Sequence, residues 1–327
     1  MPQAGLPAGE REWLIAARGN GGLVPPDSPA TTAMLNPRIV ICTLLALMAF
    51  AGNSLLCRAA LAHTHIDAAS FTTVRLLSGT VVLCCLVWLR RATRPGSGNW
   101  LSALALFAYA AGFSFSYLHL TAAAGALLLF GAVQTTMIGY GIWSGERMQW
   151  LQTVGLVLAC GGLIGLVLPG LSAPPLAGAL LMIGAGAAWG IYSLRGKGGG
   201  DSLKVTAGNF TRTVPMALAL SLLLAARTSL DPAGIAYAFL SGALTSGVGY
   251  AIWYTALPSL RATTAATVQL SVPILAAAGG VFFLGEALTL RLLVASVAII
   301  GGIALVVMTG KSREARESPK AGVPASS

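Results

Sequence analysis

Between residues 35 and 310 the chain is a succession of apolar blocks separated by short polar breaks, and the blocks fall into two sets of five. About 20 largely apolar residues are what an α-helix needs to cross a hydrocarbon core of roughly 30 Å. Ten spans are predicted, at residues 38–57, 68–89, 101–118, 123–143, 150–168, 176–194, 203–225, 233–257, 262–284 and 291–308. Helix punctuation agrees with them. Asn36-Pro37 and Asp231-Pro232 place a capping side chain and an N1 proline before the first and eighth spans. Pro174-Pro175 separates the fifth from the sixth.

The two sets repeat each other. A shift of 137 positions lays Arg58 on Arg195, Arg75 on Arg212, Gly112 on Gly249, Phe113 on Tyr250 and Tyr117 on Tyr254. After a short insertion the shift becomes 140, and Gly145-Glu146 falls on Gly285-Glu286, Gly161-Gly162 on Gly301-Gly302 and Gly170 on Gly310. Charged residues are scarce, so such coincidences at two consistent shifts mark an internal duplication. A five-span repeat enters the bilayer from opposite sides in its two copies, so the halves face each other in opposite orientation. The expected organisation is a disordered N-terminal extension at 1–34, a first five-helix repeat at 35–170, a second at 171–310 and a charged cytoplasmic tail at 311–327.

Composition supports a protein immersed in lipid. With 56% apolar and 9% charged residues, the chain lacks the roughly one quarter of charged positions that a soluble surface carries. The net charge of +10 would suggest nucleic acid in a soluble protein, but here the cations sit in short loops and tails and determine topology instead. Lys and Arg concentrate on the N-terminal side, at Arg38, Arg90, Arg91, Arg94, Arg147, Arg195, Lys197, Lys204 and Arg261, against Arg58, Arg227 and Arg291 opposite. Both termini are therefore expected in the cytoplasm. Cys42, Cys57, Cys84, Cys85 and Cys160 lie in or beside spans without metal-binding spacing, which predicts neither a disulfide framework nor a zinc site.

Ten spans in two inverted fives, with Gly-Glu closing the fourth and ninth and Gly-Gly inside the fifth and tenth, resemble the EamA-type carriers of the drug/metabolite transporter superfamily. The resemblance covers residues 35 to 310, and in overall pattern the chain is most similar to the YddG-type amino-acid exporters. It implies an all-α integral membrane protein of the bacterial inner membrane, an alternating-access carrier of small metabolites with a central cavity between its halves. No cofactor, metal or ATPase subunit is implied, and a monomer is expected.

Ionisable groups inside a membrane need a partner or a wet cavity. Arg75 and its repeat mate Arg212 either hold a substrate carboxylate or serve as scaffold. Depth in the bilayer pairs Arg75 with Glu286 and Arg212 with Glu146, as cross-half gating or structural charges. Candidate substrate contacts are the amides Asn53, Gln134 and Gln269, with Pro273 expected to loosen carbonyls near Gln269. Tyr109, Phe113 and Tyr117 recur at helical spacing on span three and Tyr250, Trp253 and Tyr254 cluster on span eight, joined by Trp189 and Tyr192 on span six. Such rings form a packed core face, an interfacial belt or a cavity suited to large apolar or aromatic side chains.

Several chemistries find no support. Gly310-Lys311-Ser312 imitates the end of a phosphate loop, but Leu305 stands where the earlier glycine is required. Gly112-Phe113-Ser114-Phe115-Ser116 fails the nucleophile-elbow pattern and lies mid-span. His63 and His65 have no third ligand close in sequence except Asp67. A membrane-embedded enzyme would need a nucleophile and base together, and a channel a ring of charges or carbonyls. A sugar-nucleotide or phosphate carrier would need several intramembrane cations where Arg75 and Arg212 alone are available. Export of amino acids by alternating access is the leading expectation, with these as its alternatives.

Overall fold

A computed structural model describes residues 37–90, 96–145, 148–170, 173–196, 201–260 and 262–317, built from helices and short connections. The first half contains α1 (Pro37–His63), α2 (Ala68–Leu89), α3 (Trp100–Tyr117), α4 (Ala122–Trp143) and α5 (Trp150–Val167). The second contains α6 (Leu176–Arg195), α7 (Ser202–Leu223), α8 (Pro232–Ala256), α9 (Ala262–Gln269), α10 (Ser271–Leu284) and α11 (Leu290–Glu317). α9 and α10 meet at Leu270 and together make the ninth crossing. The protein is thus an all-α membrane protein of ten crossings in two inverted five-helix repeats.

Three elements differ from expectation. α1 continues to His63, which draws Arg58 into a helix instead of a connection. The ninth crossing breaks at Leu270, because the ring of Pro273 excludes the hydrogen bond to the carbonyl of Gln269. α11 runs into the charged tail as far as Glu317. The N-terminal extension lies outside the described residues.

Among the described residues nine helices are long and apolar enough to cross a membrane by composition alone, and α7 is not one of them. At 22 residues it still reaches about 33 Å at 1.5 Å per residue. Its polarity is turned inward. Thr206, Asn209 and Thr213 are buried, where Thr206 donates to the Tyr254 hydroxyl at 3.2 Å and Asn209 to the Tyr192 hydroxyl at 3.5 Å.

The principal helix contacts join one half to the other. α3 packs on α6 as α8 packs on α1, α4 on α6 as α10 on α1, and α3 on α7 as α8 on α2. The pairs α2 with α7, α4 with α10 and α5 with α11 each map onto themselves when the halves are exchanged. At the α5–α11 crossing a Cβ on Gly155 would stand 2.5 Å from the Gly302 carbonyl oxygen, and Gly302 meets the Gly155 backbone in return. Gly161 and Gly301, the other members of the duplicated Gly-Gly pairs, have nothing within 4 Å of a Cβ and face outward.

Outside this core the surface is apolar, with Ile41, Met48, Val81, Val157, Ile164, Phe282, Val294 and Val297 exposed, a belt that hydrocarbon covers. Trp88, Trp100, Trp143 and Trp150 are exposed at the adjoining ends of α2, α3, α4 and α5. They form an aromatic girdle on the side where α1 begins, the depth at which indole rings settle.

On the opposite side two caps brace one another. Asp67 accepts from the backbone of Ala69 and Ser70 to start α2 and from Ser229 at 2.9 Å, while Asp231 accepts from Ala233 and Gly234 to start α8 and from His65 at 3.2 Å. Burial opposes ionisation of Asp67, but hydrogen bonds from Ser70, Ser229 and Ala69 outweigh it and hold the carboxyl below its ordinary value.

Gly302→Val should lower stability by about 2 kcal/mol or more through overpacking against Gly155, whereas Gly301→Val should stay within about 0.5 kcal/mol. Thermal unfolding in detergent micelles checks the contrast. A depressed carboxyl stabilises the fold above its unfolded pKa and loses that contribution as pH falls through the folded value. Between about pH 5 and pH 3 the melting temperature of the natural protein should therefore drop further than that of Asp67→Asn.

Candidate binding site between the halves

Near the middle of the bundle a cavity of about 20 Å³ is enclosed by Phe50, Asn53 and Ser54 of α1, Tyr109 and Phe113 of α3, Leu129, Phe130 and Val133 of α4, Trp189 of α6 and Gln269 at the end of α9. Both halves contribute. The space holds roughly one water molecule, so anything larger enters only when the helices part.

Aromatic rings run through this region as one connected series. Tyr109 meets Trp189 edge-on at 4.2 Å, Trp189 stacks on Tyr250 at 5.7 Å, and Tyr250 stacks on Tyr254 at 6.0 Å. Phe50 joins from α1, 5.8 Å from Tyr250 and 5.9 Å from Trp253. Phe113 lies between Tyr109 at 5.5 Å and Tyr117 at 4.8 Å. The repeat mates Phe113 and Tyr250 thus belong to a single cluster, linked through Tyr109 and Trp189.

Asn53 is the polar hub. It donates to the Tyr109 hydroxyl at 3.3 Å and accepts from Ser241 at 2.7 Å and Thr245 at 3.3 Å. Ser241 and Thr245 belong to a π-helical stretch of α8, Ser241–Val248. Its wider turn keeps residues four apart on nearly the same face. The matching residues of α3 form an ordinary α-helix, so this feature belongs to one half only. At the opposite wall, the break at Leu270 leaves Gln269 beside the pocket without a continuous helix behind it.

The charges pair differently from the depth argument. Glu286 binds Arg58, with Nε to Oε1 at 3.0 Å, and its other oxygen accepts from the Ala122 backbone at 2.8 Å. Arg58 also donates to the Tyr117 carbonyl at 3.0 Å. The expected Arg75–Glu286 pair is therefore replaced by Arg58–Glu286, because the extension of α1 brings Arg58 beside the turn that follows α10. Gly285 makes that turn with φ +64°, and its repeat mate Gly145 has φ +92°, the left-handed ending that glycine favours. Arg212 donates to the carbonyls of Ser97 and Gly208. Its expected partner Glu146 lies outside the described residues.

Arg75 is buried, with 3% of its surface exposed. Nη2 donates to the Tyr109 hydroxyl at 2.9 Å, and the guanidinium lies over the rings of Phe113 at 4.8 Å and Tyr109 at 5.3 Å. Its Nε and Nη1 have no hydrogen-bond partner, and neither has the buried Tyr250 hydroxyl.

Of the residues singled out from sequence, Asn53, Tyr109, Phe113, Trp189 and Gln269 line the cavity. Tyr250 and Trp253 stand one ring away. Gln134 is buried next to Val133 without lining the cavity, and Tyr192 sits beside Asn209 on α7. Phe50, Ser54 and Phe130 went unnoticed in the sequence. Phe50 is three residues before Asn53 and shares its helix face, a signal that could have found it; the π-helical stretch left none. Among the described residues no group of three His, Cys, Asp or Glu side chains could hold a metal.

The EamA-like transporter family matches the chain twice, over residues 37–168 and 176–308. An uncharacterized protein of Pseudomonas aeruginosa is 55% identical over 285 residues, which cover 87% of this chain and 99% of that one. A solved crystal structure, 17% identical, superposes with a TM-score of 0.59 over 85% of this chain and 99% of its own, so the two share a fold.

Breaking the Arg58–Glu286 pair should loosen the end of α1 and expose the residues beside it. In a variant whose sole cysteine is Cys57, which is fully buried one residue before Arg58, Glu286→Gln should speed labelling by a small thiol reagent by on the order of tenfold. That corresponds to about 1.4 kcal/mol, below the usual cost of breaking a fully buried pair because Arg58 is 21% exposed. An unchanged rate would show that the pair does not control access.

Proposed function

The chain belongs to the EamA-like transporter family, and from that premise we propose that it carries amino acids with large apolar or aromatic side chains by alternating access through the pocket between its halves. The observation that supports this reading is the ring-lined cavity, in which Phe50, Tyr109, Phe113, Phe130 and Trp189 surround the amides of Asn53 and Gln269. Offset and edge-on ring contacts are each worth about 0.5–1.5 kcal/mol beyond area burial. The amides supply hydrogen bonds to a polar backbone.

Rocking of the two inverted halves exposes such a pocket to each side in turn. In this reading the Arg58–Glu286 pair, 3.0 Å between Nε and Oε1, is the closure of one side. With the cation-rich side cytoplasmic, both chain ends face the cytoplasm of a bacterial inner membrane, and the closed side faces outward. The working direction is export, driven by a gradient, by a monomer without an ATPase subunit.

Counterflow in proteoliposomes with a panel of labelled amino acids, nucleobases and polyamines tests the proposal. Phenylalanine, tryptophan or leucine should exchange, and Trp189→Ala should slow the aromatic substrates by about tenfold while sparing small ones. Exchange of another class with no amino acid moving would overturn it.

A further inference from the structure

We infer that Arg75 is the counter-ion site of the pocket: it holds the carboxylate of the cargo, and cargo therefore has to carry one negative charge next to its apolar body. This deepens the function proposed above and rests on the same pocket. Four observations carry it.

The first is the charge balance. Among the described side chains the carboxylates are Asp67, Asp201, Asp231 and Glu286, and each is occupied. Asp67, Asp201 and Asp231 cap helices, and Glu286 holds Arg58 and the Ala122 backbone. A guanidinium remains protonated in a protein, and an isolated charge away from water costs several kcal/mol. Among the described residues Arg75 has two rings and one phenol oxygen as neighbours and no anion.

The second is the hydrogen-bond inventory. Arg75 leaves Nε and Nη1 unbonded at 3% exposure. Those two groups flank Nη2 on opposite edges of the guanidinium, and on the edge that Tyr109 leaves open one of them pairs with the second N–H of Nη2 in the fork that grips a carboxylate with two parallel hydrogen bonds.

The third is the contrast with the duplicate. Arg212 occupies the matching place in the other half, yet it is partly exposed, lies over Trp100 and donates to the carbonyls of Ser97 and Gly208. If the duplicated arginine were scaffold in both copies, Arg75 would have carbonyls as well. One copy has been committed to structure and the other left with free donors.

The fourth is position. The rings on which Arg75 rests, Tyr109 and Phe113, are themselves walls of the cavity, and Tyr109 accepts from both Arg75 and Asn53. The phenol oxygen thus stands between the pocket and the charge. A carboxylate entering as the helices part meets Arg75 behind that single hydroxyl. The unpartnered Tyr250 hydroxyl, on the same ring cluster, offers a further donor. One cation with two free donors suits a monocarboxylate, since a diphosphate would bring more negative charge than Arg75 can balance.

The test uses the full chain in nanodiscs and four ligands with one phenyl body: phenylalanine, 3-phenylpropionate, phenylalaninamide and phenethylamine. Binding is read by intrinsic tryptophan fluorescence and thermal shift. The two carboxylates should bind about tenfold to hundredfold more tightly than the amide and the amine, the range expected of a hydrogen-bonded charge. Arg75→Gln should erase that preference, and Arg75→Lys, which keeps the charge but loses the fork, should retain it in weakened form. Equal binding of acid and amide by the natural protein would overturn the inference, as would an Arg75→Gln variant that still prefers the acid. The ligand series on the natural protein decides the matter even if no Arg75 variant folds. Failure is separable from that of the proposed function. Amino acids exchanged in counterflow without any preference for the carboxylate would leave the function and remove the inference. Binding of 3-phenylpropionate with no amino acid transported would do the reverse.

Discussion

In hydrocarbon a hydrogen-bonding group without a partner costs several kcal/mol, and water is not there to supply one. The interior of this protein is organised by that constraint. Helices satisfy their own backbones, and their polar side chains turn toward one another. α7, the least apolar crossing, is possible because Thr206 and Asn209 reach tyrosines on α8 and α6. Arg58 is neutralised by Glu286, and Arg212 is spread over backbone carbonyls. Against this thoroughness Nε and Nη1 of Arg75 stand out, as do the hydroxyls of Tyr250 and Thr135. Arg75 and Tyr250 belong to the ring cluster at the junction of the halves.

The duplication shapes packing and chemistry differently. Contacts between helices follow the exchange of halves closely, from α3 with α6 and α8 with α1 to the self-matched α5 with α11. Glycine endings at Gly145 and Gly285 repeat as well. The pocket does not repeat. Among the described residues its π-helical stretch occurs in α8 alone, its broken helix lies in the ninth crossing, and the arginine with two unbonded nitrogens is on α2. Packing two inverted copies against each other needs only that each present the same surface. Holding one small asymmetric molecule needs different groups on the two walls, so selection can keep the symmetry of the scaffold while breaking that of the site. Arg58 is held by Glu286, and its repeat mate Arg195 donates to Ser102 and Asn99.

Most of the architecture was legible in the residues themselves. Ten crossings, their order and the inverted duplication follow from block length, proline and aspartate punctuation and two constant shifts, all of them local or self-comparing properties of the chain. Lipid makes such patterns reliable, because every crossing has to satisfy the same length and backbone requirement whatever its neighbours are. The aromatic and amide character of the pocket was legible for a related reason: Asn53, Gln269, Tyr109, Phe113 and Trp189 are unusual inside apolar spans. Pairing was not. Whether Glu286 meets Arg75 or Arg58 depends on how far α1 continues and how the turn after α10 is aimed, distances set by the crossing of helices more than 200 residues apart. Sequence alone determined that charges are buried in this protein, and tertiary structure alone decided which are neutralised, since a partner is a matter of a few ångströms between helices that no local pattern encodes.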